Sequence, residues 1–386
     1  MRFPRRFLLA LFAVLSLIAA ACGSDDAVTA GDAPADAPTV AVTTNILGDV
    51  VTNIVGDQLN VVTIMPVGAD PHDFQASAQQ VAQIGEAQAL IVNGAAFEEG
   101  LLDVIETAEA DGIAVHEAIS GVSTIEFGEG GHDDHGHDDE HGDEDHDDEH
   151  GDEDHDDEHG DEDHDDEHGD EEHSDEDHDD HEDEEHSDED HDEHGDEDHD
   201  EHEGHDHSGD DPHFFTDPAR MAVAADGIAD FLIANVDGVD ADALRASADA
   251  YIAELNELDA EVSEILSSLT DEQRVLVTNH EVFGYFADNY GFEVVGSVIP
   301  SGTTADGANA QALAELAEVI SAEGVPAIFA DTSSSDELVQ TLADEVGDIE
   351  VVELFSESLG DADSDGGTYI DMVRANANRI AGALGA

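Results

Sequence analysis

The chain contains no lysine: its eight basic residues are all arginine, against 101 acidic ones in 386, for a formal net charge of −93. A surface so poor in positive charge repels phosphate backbones and anionic headgroups, which excludes nucleic acid and direct electrostatic membrane binding as natural roles. Cations are the partners it favours. About half of the acidic residues fall in one stretch, and the rest still far outnumber the arginines, a surface that fits a saline habitat as readily as a function. Cysteine is almost as scarce. Cys22 stands alone, so no internal disulfide can form and stability must come from packing. Long hydrophobic runs are also missing: the one from Phe7 to Ala21 falls short of the roughly 20 residues that cross a bilayer.

That run follows Arg2, Arg5 and Arg6 and ends at Ala19, Ala20 and Ala21 before Cys22, the pattern of a signal peptide over residues 1–21. The Ala-Ala-Ala-Cys-Gly string resembles a bacterial lipobox, which implies lipidation of Cys22 and a mature chain anchored to the membrane on its extracytoplasmic side. A cleaved signal with an incidental cysteine is the alternative. Residues 22–38, rich in Ser, Asp, Ala and Pro, are expected to be a flexible tether.

Between His132 and His207 there is no aliphatic or aromatic side chain at all, only His, Asp, Glu, Gly and Ser, with a nine-residue repeat at His146, His155, His164 and His173. Having nothing to bury, residues 131–210 are expected to form a disordered loop. Without it two foldable regions remain. In the first, strand signals at Thr39–Thr43, Asn60–Met65, Ala89–Asn93 and Gly112–Val115 alternate with helical ones such as Ile46–Val55 and Glu98–Ala110. In the second, strands are expected at Arg274–Thr278, Glu293–Ser297, Ala327–Ala330 and Glu350–Glu353, with helices at Gln311–Ala322 and Ser335–Glu345. Such alternation predicts α/β lobes, each with a small parallel sheet. Between them Leu244, Tyr251, Leu255, Leu258, Val262 and Ile265 recur on one helical face, predicting a single rigid connecting helix. The expected organisation is a first lobe over 39–238 carrying the loop, a linking helix over 239–270 and a second lobe over 271–386.

Of 24 histidines, only His72, His116, His213 and His280 lie outside the tract. His72 and His213 each follow Asp-Pro, and proline restricts both itself and its predecessor, so each ring is presented from a defined turn. His280 directly follows a predicted strand, where ligands of open α/β sheets collect. Each alone is compatible with an ordinary turn histidine; three together suggest a metal site lacking one further donor, since imidazole and four N, O or S donors suit tetrahedral Zn²⁺. His116 lacks the proline context and reads as structural.

Gly-Ala-Asp-Pro-His72, Asp-Pro-His213-Phe-Phe-Thr-Asp-Pro, Asn279-His280-Glu-Val-Phe-Gly-Tyr-Phe and Ser358-Leu-Gly…Gly367-Thr-Tyr369 occur in an order that resembles the metal-specific solute-binding receptors of ABC transporters, the zinc and manganese group. The resemblance covers nearly all of the chain outside the tract. It implies that the three histidines bind a metal between two lobes, that a carboxylate at the position of Glu357 completes the site, and that a membrane permease receives the cargo from a monomeric receptor. Glu357 stands where the family more often has aspartate, which leaves water in the fourth position, or Asp331 as the oxygen donor, as the alternatives. Ser301–Asn309 departs from the Glu-Pro-Ser-like turn usual in the family. The resemblance also places the tract as an auxiliary capture loop, in which His132, His135, His137, His141, His146, His150, His155, His159, His164 and His168 offer exchangeable ligands near the cleft.

Three histidines and a carboxylate favour Zn²⁺ over the harder Mn²⁺. A zinc hydrolase would need a general base beside an open coordination position, and neither His-Glu-x-x-His nor Gly-x-Ser-x-Gly occurs, so no enzyme is expected. A manganese or iron receptor of the same group, and a surface zinc buffer or adhesin in which the tract does the binding, are the alternatives.

Overall fold

A computed structural model describes residues 37–127 and 209–385, apart from 306, 309 and 348. The signal segment, Cys22, the tether up to Asp36 and the ten auxiliary histidines of the tract lie outside the described residues.

The first lobe begins with β1 (Thr39–Val42) and α1 (Asn45–Val55). It continues through β2 (Asn60–Thr63), α2 (Ala78–Glu86), β3 (Ala89–Val92), α3 (Leu102–Ala110) and β4 (Ala114–Glu117). Its sheet is wholly parallel in the order β2-β1-β3-β4. After the tract come α4 (Pro218–Asn235) and the long α5 (Ala241–Leu266). The second lobe contains β5 (Val275–Thr278), α6 (Gly284–Tyr290), β6 (Glu293–Ser297), α7 (Ala310–Glu323), β7 (Ala327–Asp331), α8 (Glu337–Val346) and β8 (Glu350–Leu354). Its sheet repeats the plan as β6-β5-β7-β8, again parallel, and α9 (Tyr369–Leu384) closes the chain.

Two departures from the sequence reading have local causes. The strand expected at Gly112–Val115 starts at Ala114, because Gly112 takes φ +93° and its N–H caps the end of α3 at Glu109. The helix expected from Glu98 opens with a 3₁₀ turn at Glu99–Leu101, since the Glu98 carboxylate bonds back to Asn93 N and Thr43 Oγ1.

One continuous core joins the lobes. It runs from β1 and α1 through α4 and α5 to α6 and α9. The opposite faces of the two sheets have their own clusters, around Leu90 and Ile84 in the first lobe and Ile328 and Val339 in the second. Helix α5, about 39 Å long at 1.5 Å per residue, packs against α1 and α4 of the first lobe and α9 of the second. Its buried seam is Leu244, Ala248, Tyr251, Leu255, Leu258, Val262 and Leu266, while Ile265 is only partly covered because the 3.6-residue period carries the stripe one position further. Leu255 has no exposed surface. Leu255→Ala is expected to destabilise the chain by about 2–5 kcal/mol, read as a lowered urea midpoint; a change below about 1 kcal/mol would show that α5 is not a structural spine.

Candidate metal centre

Both sheets direct the carboxyl ends of their strands toward the junction between the lobes, and the segments leaving those ends carry the predicted site residues. His280 lies two residues beyond β5 and Glu357 three beyond β8; His72 sits in the loop after β2, and His213 immediately precedes the turn into α4. The two Asp-Pro-His motifs fold alike. Asp70 Oδ1 accepts from the His72 backbone N–H at 3.0 Å and Asp211 Oδ1 from that of His213 at 2.9 Å, so each aspartate locks the turn that aims its histidine. A third Asp-Pro serves differently: Asp217 caps α4, with Pro218 at its first position.

These turns bring four side chains together. One nitrogen from each of His72, His213 and His280 and one carboxylate oxygen of Glu357 lie within 4.8 Å of one another, all buried. His72 Nε2 is 2.8 Å, His280 Nε2 3.2 Å and His213 Nε2 3.4 Å from the same atom, Glu357 Oε1. The extra methylene of glutamate is what reaches the middle of the three rings. Glu357 Oε2 and His280 Nδ1 are buried without a hydrogen-bond partner among the described residues. Such orphaned polar atoms are costly in an otherwise satisfied interior, and they mark the centre as built for something other than packing.

The outer ring nitrogens of His213 and His72 are held by carboxylates. Asp211 Oδ1 is 2.7 Å from His213 Nδ1, and Glu99 Oε1 is 3.1 Å from His72 Nδ1. A carboxylate behind an imidazole fixes its tautomer and raises the basicity of the inward nitrogen. Phe97 packs edge-on to both His72 and His213, at 5.1 and 5.5 Å between centroids, lining that side of the site with apolar surface. Burial opposes protonation of His72, but the Glu357 charge, bonds to Glu357 and Glu99, and the charge of Asp70 outweigh it and raise its pKa to about 10. His213 is raised for like reasons, by Asp211 first and Glu357 second, against the effect of burial. Burial pushes the Glu357 carboxyl up, yet the adjoining histidines hold it well below the usual carboxylate range.

Asp331 ends β7 in a buried position, but both its oxygens are taken by Ser333, from the backbone N–H and the hydroxyl. It is not among the converging donors. Burial, with the charge of Glu357 second, raises its pKa. His116 lies on β4 with its ring stacked on Phe231 at 4.8 Å, away from the centre. Glu99 was not singled out by the sequence. The Asp-x-His spacing does carry a signal for Asp70 and Asp211, because an aspartate two residues ahead of a backbone N–H commonly closes such a turn.

The profile of the family described as zinc-uptake complex component A, periplasmic, matches residues 40–383. The manganese-binding lipoprotein MntA of Halalkalibacterium halodurans is 23% identical over 372 residues, covering 96% of both chains. The zinc-binding protein TroA of Treponema pallidum is 43% identical over 140 residues, 35% of this chain and 45% of that protein. The solved structure of the periplasmic zinc-binding TroA from T. pallidum superposes with a TM-score of 0.66 and 25% identity, covering 91% of this chain and all of that one.

Proposed function

The chain belongs to the zinc-uptake complex component A family, and from that premise we propose that it captures Zn²⁺ at the His72, His213, His280 and Glu357 centre and hands it to a membrane permease. As a member it is a solute-binding receptor of a metal ABC transporter and not an enzyme. The relatives include proteins named for manganese and for zinc, so the names leave the metal open. The donor set favours zinc. Three imidazoles and one carboxylate match the ligand preferences and number of tetrahedral Zn²⁺, whereas Mn²⁺ prefers more oxygen. Convergence of three histidine nitrogens on one buried carboxylate oxygen is the observation that carries this reading, because Glu357 Oε1 occupies the position a cation shared by the three rings would take.

The leader and Cys22 support an extracytoplasmic receptor held to the membrane by lipid, and among the described residues no helix is long and apolar enough to cross it. Residues 131–210 supply auxiliary capture in this scheme. A chain lacking them is expected to retain one tight site and to prefer Zn²⁺ over Mn²⁺, measured by chelator competition. A manganese preference there would overturn the metal assignment, and loss of the tight site would favour a buffer in which the tract is the binding element.

A further inference from the structure

The stretch after β6 departs in sequence from the turn expected in the family, and its contacts give it a role. Ser301 O accepts from the backbone N–H of Glu281 at 3.0 Å, the residue directly after His280. Gly302 lies against Phe127 so closely that a Cβ there would fall 1.9 Å from Phe127 Cε1, and the Phe127 ring stands edge-on to His213 at 6.3 Å. Thr304 Oγ1 donates to Asp70 Oδ2 at 2.6 Å, while Asp70 Oδ1 holds the backbone N–H of His72. Between the second and third contacts, Thr303 is only 2% exposed, so the turn is packed rather than loose.

Residues 301–304 therefore touch a neighbour of each metal-site histidine. Phe127 and Asp70 belong to the first lobe and the turn to the second, with Asp70 and Thr304 234 positions apart in the chain. We propose that this turn is the closing element of the centre and that Thr304 is a positioning residue, whose bond to Asp70 holds the His72 turn in place while the lobes are together. The inference rests on the receptor reading above. A cation leaves only when the turn lifts, and lifting breaks the Thr304 to Asp70 bond and the Gly302 to Phe127 contact together. Entry proceeds through the lifted state, in which those contacts are absent. The bond is formed in the empty closed site as well, so the turn must lift before capture and before release, and the bond slows both.

The test is zinc release from the full mature chain, loaded with less than one equivalent and then mixed with excess chelator, with His280→Ala identifying the phase that belongs to the centre. A hydrogen bond to a charged carboxylate is strong enough for Thr304→Val to speed that phase by about tenfold, with the association rate raised to a similar extent. Thr304→Ser, which keeps the hydroxyl, is expected to restore the slow rate, and Gly302→Ala, which keeps Thr304 but forces the turn off Phe127, to release faster as well. A Thr304→Val rate within about twofold of the parent, or Thr304→Ser as fast as Thr304→Val, would overturn the role of the turn alone. A parent chain with no slow phase, or one that survives His280→Ala, would overturn the receptor reading with it.

Discussion

His280→Ala is expected to weaken zinc binding at the centre by on the order of a hundredfold or more, if four donors share roughly 12 kcal/mol of binding free energy. The effect is large because the ring has no exposed surface and the alternative oxygen donor cannot stand in for it: Asp331 has both oxygens committed to Ser333. Water entering the truncated site would supply a weaker ligand than imidazole. Asp331→Asn is the matched comparison, and its affinity is expected to remain within about threefold of the parent, since it leaves all four converging donors intact. Chelator competition at substoichiometric zinc reads the centre ahead of weaker sites. An affinity for His280→Ala within about threefold of the parent would remove the centre from the mechanism, and a large loss in Asp331→Asn would move the oxygen donor from Glu357 to Asp331.

The three histidines were legible because their local sequence is unusual: two Asp-Pro-His turns and one histidine at a strand end, with only His116 besides among the described residues. Glu357 was not legible in that way. With 101 acidic residues, composition singles out no carboxylate, and it was the resemblance to metal receptors that pointed to this position. Helix α5 was readable from its period, and the alternation of strands and helices gave two parallel sheets without giving their strand order. What remained hidden depends on tertiary packing. Glu99 reaches His72 across 27 residues, and Thr304 meets Asp70 only when the lobes are assembled. The same holds for the seam between lobes, where Ser358 Oγ bonds both Asn45 Nδ2 at 3.0 Å and Gly68 N at 2.7 Å. Nothing in the spacing of those residues announces that the neighbour of Glu357 ties α1 to the loop that leads to His72.

Zinc affinity at the centre is expected to fall about tenfold for each pH unit below roughly 10, for every proton that the cation must displace. In the metal-free chain the pKa of His72 is raised to about 10 by the Glu357 carboxylate and its own bonds, so at neutral pH the ring is an imidazolium paired with an ionised Glu357. Coordination needs the lone pair on that nitrogen, and binding at pH 7.4 should therefore release at least one proton. The metal-free fold responds in the opposite sense. Stabilisation from His72 is fully present below its ordinary value of 6.5 and is lost as pH rises through about 10. That from Glu357 is present above its ordinary 4.5 and disappears only as pH falls through its depressed value. Raising pH from 6.5 toward 10 thus weakens the empty closed site while strengthening its hold on the cation, so the pair acts as a proton-filled placeholder that zinc displaces. Calorimetry of the chain lacking residues 131–210, in buffers of different ionisation enthalpy, counts the protons without interference from the tract. A count of zero at pH 7.4, or an affinity that stays flat between pH 6 and 8.5, would mean that His72 is already neutral in the empty site and that Glu357 does not hold its proton.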